Sequence, residues 1–420
     1  MAKKIAFYTM GCKVNLYDSQ ASQGRFAACG YEIVNFDEAA DVYVVNTCSV
    51  THMADKKSRQ AVRRALSQNP GALVCAMGCA SELDPAAYKA AGAGVVVGTK
   101  RDELLDYVES YFVDRQGDDM PAVYANIKTK TRAFLKAQDG CNNFCTFCVI
   151  PYARGRSVSR PFDDVIKEAK ALIENGYREI VLCGIHIASY GKDLDSGHNL
   201  LSLLEALCKL DGLWRLRLSS VEPTCITDEF IGFMREHPLF CRHLHLSLQS
   251  GSQGVLRRMA RRYTADEYRM AVNLLNACFP NISITTDVIA GFPDETEAEH
   301  EESMAFIERV KLSRLHVFNY SKREGTAAAY MGGHIPTEIK KRRVKELTEL
   351  NEQLMADYHG LFIGQVMPIL VEKAVNGMIE GKTDNYITVK ALGDNIATNT
   401  MVNVRLLSLS VDGLYGEVVE

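Results

Sequence analysis

Three cysteines within one eight-residue stretch, Cys141-Asn142-Asn143-Phe144-Cys145-Thr146-Phe147-Cys148, constrain this chain more than any other feature. They follow a strand-like run, Ala133-Phe134-Leu135, that opens a strand and helix series. Further strand candidates lie at Ile180-Val181-Leu182, Leu216-Arg217-Leu218, Leu244-His245-Leu246, Ile282-Ser283-Ile284 and Leu315-His316-Val317-Phe318. Six such units predict a partial or complete parallel βα barrel, whose chemistry gathers at the carboxyl ends of the strands. Three thiolates in one short loop can converge on a single centre, and thiolate donors suit zinc or an iron-sulfur cluster. A structural zinc site wants a fourth ligand. A four-iron cluster on three cysteines leaves one iron open to bind something else.

Before this series, short apolar runs (Ile5 to Tyr8, Tyr31 to Phe36, Val42 to Val45, Ala72 to Ala76, Val95 to Val97) alternate with stretches of helical spacing. That alternation predicts an α/β domain with a doubly wound parallel sheet. Cys12, Cys48 and Cys79 each close a strand and precede a helix. With strand order 2-1-3-4-5 they would share the carboxyl edge on neighbouring strands, where helix N-termini stabilise anionic sulfur. Cys75, mid-strand, is expected to pack. Cys29, Cys183, Cys208, Cys225, Cys241 and Cys278 read as small buried hydrophobes. The 13 cysteines are an odd number, which argues against a disulfide framework.

The polar stretch Asp114 to Pro121 reads as a boundary, and Glu338 to Tyr358 as one charged helix. The remainder becomes short alternating runs between Gly and Asn turns, which fits a small all-β barrel. The expected units are residues 1–118, 127–358 and 359–420. No apolar run approaches the roughly 18 residues of a membrane span, so no membrane partner and a cytoplasmic location are expected.

The chain resembles the methylthiotransferase family of radical S-adenosylmethionine enzymes over essentially its whole length. The resemblance is carried by Gly11-Cys12, Asn46-Thr47-Cys48, Gly78-Cys79-Ala80, Cys141 to Arg156, Ser219 to Pro223, Gln249 to Ser252, Asp287 to Pro293 and Tyr320-Ser321, in that order. Lys13-Val14-Asn15 is similar to the branch acting on N6-threonylcarbamoyladenosine beside the tRNA anticodon. The resemblance implies an N-terminal domain holding an auxiliary 4Fe-4S cluster on Cys12, Cys48 and Cys79. It implies a radical barrel holding the catalytic 4Fe-4S cluster on Cys141, Cys145 and Cys148, and a C-terminal TRAM barrel. It also implies S-adenosyl-L-methionine as cofactor, with Phe147 against its adenine, Gly184 near its amino group, and Glu222, Gln249 and Asp287 at the ends of the third, fourth and fifth strands orienting ribose and carboxylate. Methylthiolation at C2 of the adenine would follow. Isopentenyladenosine in tRNA and a ribosomal-protein side chain are the alternative substrates, and a non-catalytic zinc-holding RNA-binding protein is the reading from another class. The partners implied are tRNA, a one-electron donor such as flavodoxin, and a sulfur donor.

A net charge of -4 means that any RNA contact must come from local basic patches. The candidates are Lys56-Lys57-Ser58-Arg59 with Arg63-Arg64, then Arg154, Arg156 and Arg160, then Arg257-Arg258 with Arg261-Arg262, and the run Lys340 to Lys345, which reads equally well as a solvated helix face. The C-terminal barrel is itself net acidic, so stacking, with Tyr386 as candidate, would have to serve there.

Overall fold

A computed structural model describes residues 2–112 and 131–419. The boundary expected at Asp114 to Pro121, and the unit limits at 118 and 127, lie outside the described residues.

The first unit contains β1 (Lys4–Thr9), α1 (Lys13–Ala28), β2 (Glu32–Val34), β3 (Val42–Thr47), α2 (His52–Gln68), β4 (Leu73–Gly78), α3 (Cys79–Leu83), α4 (Pro85–Ala90), β5 (Val95–Gly98) and α5 (Leu104–Phe112). Its sheet is wholly parallel with order β2-β1-β3-β4-β5, as expected. β3 and β4 are buried along their whole length. Alternate residues explain why: Tyr43, Val45, Val74 and Ala76 pack on Val62 and Ala65 of α2, whereas Val42, Val44, Leu73 and Met77 pack on Phe26 of α1 and Leu104 of α5. A strand covered by helices on both faces has no use for polar alternation, hence the continuous apolar runs.

The second unit contains β6 (Arg132–Asp139), α6 (Ile150–Arg154), β7 (Val158–Ser159), α7 (Phe162–Glu174), β8 (Glu179–Gly184), α8 (Leu200–Cys208), β9 (Arg215–Leu218), α9 (Asp228–Glu236), β10 (His243–His245), α10 (Gln253–Arg258), α11 (Ala265–Cys278), β11 (Ser283–Ala290), α12 (Glu297–Val310), β12 (Arg314–Asn319) and α13 (Thr337–Gly360). The ladders β7-β6-β8-β9 and β10-β11-β12 are joined by the parallel bridges Leu216 to Phe240 and Val221 to Leu246. Six parallel strands thus run in sequence order as an open barrel. Leu135, Leu182, Leu216, Leu244, Ile284 and Leu315 face outward into one core beneath the helices. The inner positions are polar, among them Arg217, His243, His245, Thr285 and Asp287. Capping boxes at Thr264 with Glu267 and at Thr296 with Glu299 start α11 and α12 by satisfying otherwise orphaned backbone donors.

The third unit is a closed barrel of β13 (Val366–Val375), β14 (Met378–Lys382), β15 (Thr388–Leu392), β16 (Met401–Ser410) and β17 (Gly413–Val419) in the order β13-β14-β15-β17-β16. It docks under the amino ends of the parallel strands. Arg215 donates to the Lys382 and Pro368 carbonyls at 2.7 and 2.8 Å, Arg217 donates to that of Asp384 at 2.9 Å, and Arg132 pairs with Glu372 at 2.6 Å.

Two expectations are corrected here. Tyr386 is neither on a strand nor offered to RNA: its φ is 72°, β15 starts only at Thr388, and its ring stacks on His243 at 4.5 Å under the open barrel. Cys29 is exposed rather than buried, and Cys225 and Cys278 are half-buried, while Cys75, Cys183, Cys208 and Cys241 are buried as expected.

Candidate active site

The N-terminal crevice is built by glycines and amides. Cys12 caps the start of α1, Cys48 follows β3, and Cys79 is the first residue of α3 after β4. Gly11 has φ of 107°, and a Cβ there would come within 3.0 Å of the Cys48 sulfur, so only glycine lets these loops approach so closely. Gly78, at φ of 96°, would press a Cβ to 2.4 Å from Asn46 Oδ1. Asn15 donates to the carbonyls of Met10 at 2.8 Å and Thr47 at 3.0 Å, tying the first and second cysteine turns together. Ser81 binds Thr47 Oγ1 through its backbone N-H at 3.0 Å, tying in the third. Cys48 and Cys79 are buried and Cys12 is exposed. Burial pushes the Cys48 thiol up. It pushes Cys79 up to about 12 against the opposing pull of Arg154, and each of these two thiols feels the charge of Cys12.

The second trio lies in the loop between β6 and α6, at the carboxyl end of the first barrel strand. Gly140, with φ of 67°, passes so close to the Arg156 carbonyl that a Cβ would lie 1.9 Å from it. The Cys141 N-H donates to the Gly155 carbonyl at 3.1 Å and the Cys148 N-H to that of Cys145 at 2.9 Å, folding the loop on itself. Thr146 anchors it to the barrel through the Met259 and Arg258 carbonyls at 3.1 and 2.8 Å. Burial raises the Cys141 thiol and takes that of Cys148 up to about 12.

Two arginines hold the sulfurs. Arg261 donates to Cys145 Sγ at 3.2 Å, to Glu222 Oε1 at 2.9 Å and to the Tyr263 hydroxyl at 3.0 Å. Arg154 donates to Cys79 Sγ at 3.0 Å, to both oxygens of Asp139, to Asn15 Oδ1 at 2.7 Å and to Asp18 Oδ2 at 3.0 Å. The helix after the barrel's cysteine loop therefore reaches the third cysteine of the N-terminal sheet. Buried thiols with raised pKa are poor thiolates when alone, and two guanidiniums beside them favour the deprotonated sulfur that an iron cluster requires. The donor set of each trio fits such a group.

Glu222 also accepts from Asn143 Nδ2 at 3.1 Å and meets His186 Nε2 at 3.2 Å. Gly184 ends β8 against Gln138, which accepts the His186 N-H at 2.8 Å. Phe147 packs in a small cluster with Val255, Met259 and Ile289. Glu222 thus lies beside the cysteine loop, and Phe147 is part of that loop. A cavity of about 600 Å³ opens beside it, lined by Asn143, His186, Tyr190, Glu222 and Arg262. Gln249 adopts φ of 73° and exchanges backbone bonds with β11, donating to Asp287 and accepting from Ile289, both at 2.9 Å. Asp287 is a correction. It does not end the fifth strand but lies within β11, opposite His316, because pairing with β12 carries that strand on to Ala290. Its partner is His245 at 3.4 Å rather than the cysteine loop. Glu222 and Gln249 lie beyond the last residues of β9 and β10, not on them.

Arg154 and Arg261, read from sequence as RNA-facing, are buried with side chains 2% and 7% exposed. Both stand among other arginines in the sequence, so no local signal set them apart from the exposed ones. Asp18 had none beyond lying on the apolar stripe of α1, yet it binds Arg101 at 2.8 Å, Lys136 at 2.9 Å and Arg154 at 3.0 Å.

A family model described as the Radical SAM superfamily matches residues 135–307, and one described as the uncharacterized protein family UPF0004 matches residues 4–98. The threonylcarbamoyladenosine tRNA methylthiotransferase MtaB of Bacillus subtilis (strain 168) is 42% identical over 99% of this chain and 97% of its own length. A tRNA-2-methylthio-N(6)-dimethylallyladenosine synthase of Caldicellulosiruptor saccharolyticus is 34% identical over 98% of this chain and 91% of its own. Among solved structures, the radical S-adenosylmethionine methyltransferase TsrM of Kitasatospora setae superposes with a TM-score of 0.57 at 14% identity, covering 78% of this chain and 77% of that one, which speaks for the fold alone. Full-length identity at this level makes the chain a member of the radical S-adenosylmethionine methylthiotransferase family.

Proposed function

We propose that this enzyme adds a methylthio group at C2 of N6-threonylcarbamoyladenosine, next to the anticodon of tRNA, giving the 2-methylthio derivative. The single observation that carries this reading is the pair of three-cysteine turns, with Arg154 of the barrel bonded to Cys79 of the N-terminal sheet, in a chain 42% identical to a relative named for that activity. Cys141, Cys145 and Cys148 would hold the catalytic 4Fe-4S cluster, and Cys12, Cys48 and Cys79 the auxiliary one. Bound together, S-adenosylmethionine and the clusters supply a 5′-deoxyadenosyl radical and a seat for the transferred sulfur.

The chain's own residues do the positioning. Glu222, fixed by Asn143, His186 and Arg261, offers its carboxylate to the cofactor's polar groups beside a cavity large enough for a nucleoside. Phe147 presents an apolar ring for its adenine, and Gly184 leaves room near its amino group. Gln249 and Asp287 line the wall further along β11. The limits 1–118, 127–358 and 359–420 remain the working division of the chain. No helix of the described residues is long and apolar enough to cross a membrane, and the expected cytoplasmic location rests on the tRNA substrate. A one-electron donor of the flavodoxin kind and a separate sulfur donor complete the reaction.

The test is an anaerobic assay with reductant, S-adenosylmethionine and threonylcarbamoylated tRNA, read by nucleoside mass spectrometry. About eight irons per intact chain are expected, and about four in either cysteine variant. Cys145→Ala should abolish cofactor cleavage. Cys48→Ala should still cleave S-adenosylmethionine but deliver no sulfur. Methylthiolation of dimethylallyladenosine alone would move the enzyme to the other branch.

A further inference from the structure

α1 starts at the auxiliary crevice, yet it runs against the inner face of the barrel. Val14 packs with Cys183 of β8, and Phe134 of β6 lies against them. Lys13, one residue earlier, is half-buried on the barrel side of α1, among residues of the inner strand face. Its ammonium lies within electrostatic range of Arg132, Cys183 and Arg217 on β6, β8 and β9, and of His243, Asp287 and His316 on β10, β11 and β12. All six parallel strands thus surround one cation.

That cation has no carboxylate partner; the groups that favour its charge are the Tyr386 phenol on the barrel floor and the Cys183 thiol. Among the described residues Lys13 makes no ion pair and no hydrogen bond. The carboxylates nearby are committed: Glu372 to Arg132 at 2.6 Å, Glu179 to Arg217 at 2.9 Å and Arg215 at 3.8 Å, and Asp287 to His245 at 3.4 Å. The lumen wall also carries buried polar atoms without partners, namely His243 Nδ1 and Ser219 Oγ, on residues 3% and 4% exposed. An unpaired buried cation among unsatisfied donors and acceptors is costly unless a ligand brings the missing anion. The open mouth of this lumen is the rim that carries the cysteine loop.

We propose that Lys13 is a specificity-determining residue that pairs with the carboxylate of the threonylcarbamoyl group when the adenine is held at the cysteine rim. This rests on the substrate reading above. The ligand class is an N6-substituted adenosine whose substituent ends in a carboxylate. A dimethylallyl substituent offers no anion and would bury the ammonium unpaired, so the same residue that attracts one substrate rejects the other. S-adenosylmethionine carries the other available carboxylate, and the experiment separates the two.

Equilibrium binding is measured with the cluster-loaded full chain and anticodon stem-loop RNAs carrying threonylcarbamoyladenosine, its methyl ester, or dimethylallyladenosine. The intact protein should bind the acid at least about tenfold more tightly than the ester. Lys13→Met should bring that ratio near one while leaving ester binding, S-adenosylmethionine binding, iron content and cluster spectra unchanged. Lys13→Arg should restore a preference for the acid. A ratio that survives in Lys13→Met, or an intact protein indifferent to esterification, overturns the proposal. Loss of S-adenosylmethionine affinity or of iron in Lys13→Met assigns the residue to the cofactor or cluster instead and also overturns it. An intact protein that favours the dimethylallyl RNA overturns the substrate reading itself.

Discussion

Arg154 Nε lies 3.0 Å from Cys79 Sγ. One guanidinium from the barrel thereby touches a sulfur of the N-terminal sheet while its other nitrogens hold Asp18, Asp139 and Asn15. Replacing it by Met takes charged hydrogen bonds from Asp18 and Asp139, which keep Lys136 and, for Asp18, Arg101 as well, a loss of about 1.5–3 kcal/mol. Arg154→Met should therefore melt well below the intact protein and alter the electron paramagnetic resonance signal of the N-terminal cluster selectively. A variant with unchanged melting and unchanged signals from both clusters would contradict this role.

Asp18 makes the same interface sensitive to acid. Burial alone would raise its carboxyl, but Lys136, Arg154 and Arg101 overcome burial and hold it at about 2, below its ordinary 3.8. A carboxyl depressed on folding contributes its full stability above the unfolded value and loses it as pH falls through the folded one. The stability gap between the intact protein and Asp18→Asn should thus be constant near neutrality and shrink between about pH 4 and pH 2. Denaturant melts at several pH values measure it, and a gap that widened on acidification would refute the assignment.

Glu222 accepts from both Asn143 and Arg261 and so links the cysteine loop to the cavity beside it. A hydrogen bond to a charged group contributes about 1.5–3 kcal/mol, so Glu222→Gln should weaken S-adenosylmethionine binding by roughly tenfold or more. Iron content should stay intact, because the carboxylate is not a sulfur ligand. Titration calorimetry under nitrogen reads the change, and equal affinity would remove Glu222 from the cofactor site.

Tyr386 is predicted to report on the docking of the third unit. Burial would raise its phenol, but Arg132 at 3.3 Å, Lys13 and Lys382 lower it to about 8. The folded protein gains stability as pH rises from that value toward the ordinary 10, where an unfolded phenol would ionise too. A tyrosinate absorbance titrating near pH 8 should therefore appear in the intact protein and vanish in Tyr386→Phe. Tyr386→Ala should lower stability without weakening RNA binding, since the ring faces His243 and not solvent.

Of the basic patches, the face of α2 presents exposed cations for RNA, as do Arg156, Arg257 and Arg262 near the cysteine loop. Lys56, Lys57 and Arg63 are exposed, whereas Arg160 is bound to Glu168, Arg258 to Glu299, and Arg343 to Glu295. Replacing Lys56, Lys57 and Arg63 by Ser should weaken tRNA binding and flatten its salt dependence by up to about one unit of slope per lost phosphate contact. S-adenosylmethionine cleavage should be untouched. An unaltered salt slope would send the search for the RNA surface elsewhere.

Much of this molecule was readable from one dimension, because periodicity and turn chemistry are local. Continuous apolar runs such as Val42 to Val45 announced the strands of a doubly wound sheet, and Cys12, Cys48 and Cys79, each closing a strand, were expected along its carboxyl edge. The sheet order and the placement of both cysteine trios followed from those signals. Asp287 misled because a strand's end depends on how far its neighbour pairs with it, which is not a local property. The arginines misled for a related reason: an Arg in a basic stretch looks the same on paper whether it meets phosphate or a buried carboxylate.

What the chain alone determined, then, is the set of sulfur donors and the three kinds of unit that carry them, since spacing and hydrophobic period are written residue by residue. Only the assembled structure decided that Arg154 and Arg261 serve sulfurs, that Tyr386 plugs the barrel floor and that Lys13 lies on the barrel side of α1. Each of those outcomes depends on which unit packs against which, and burial of a charge acquires meaning only once its neighbours from distant sequence are in place.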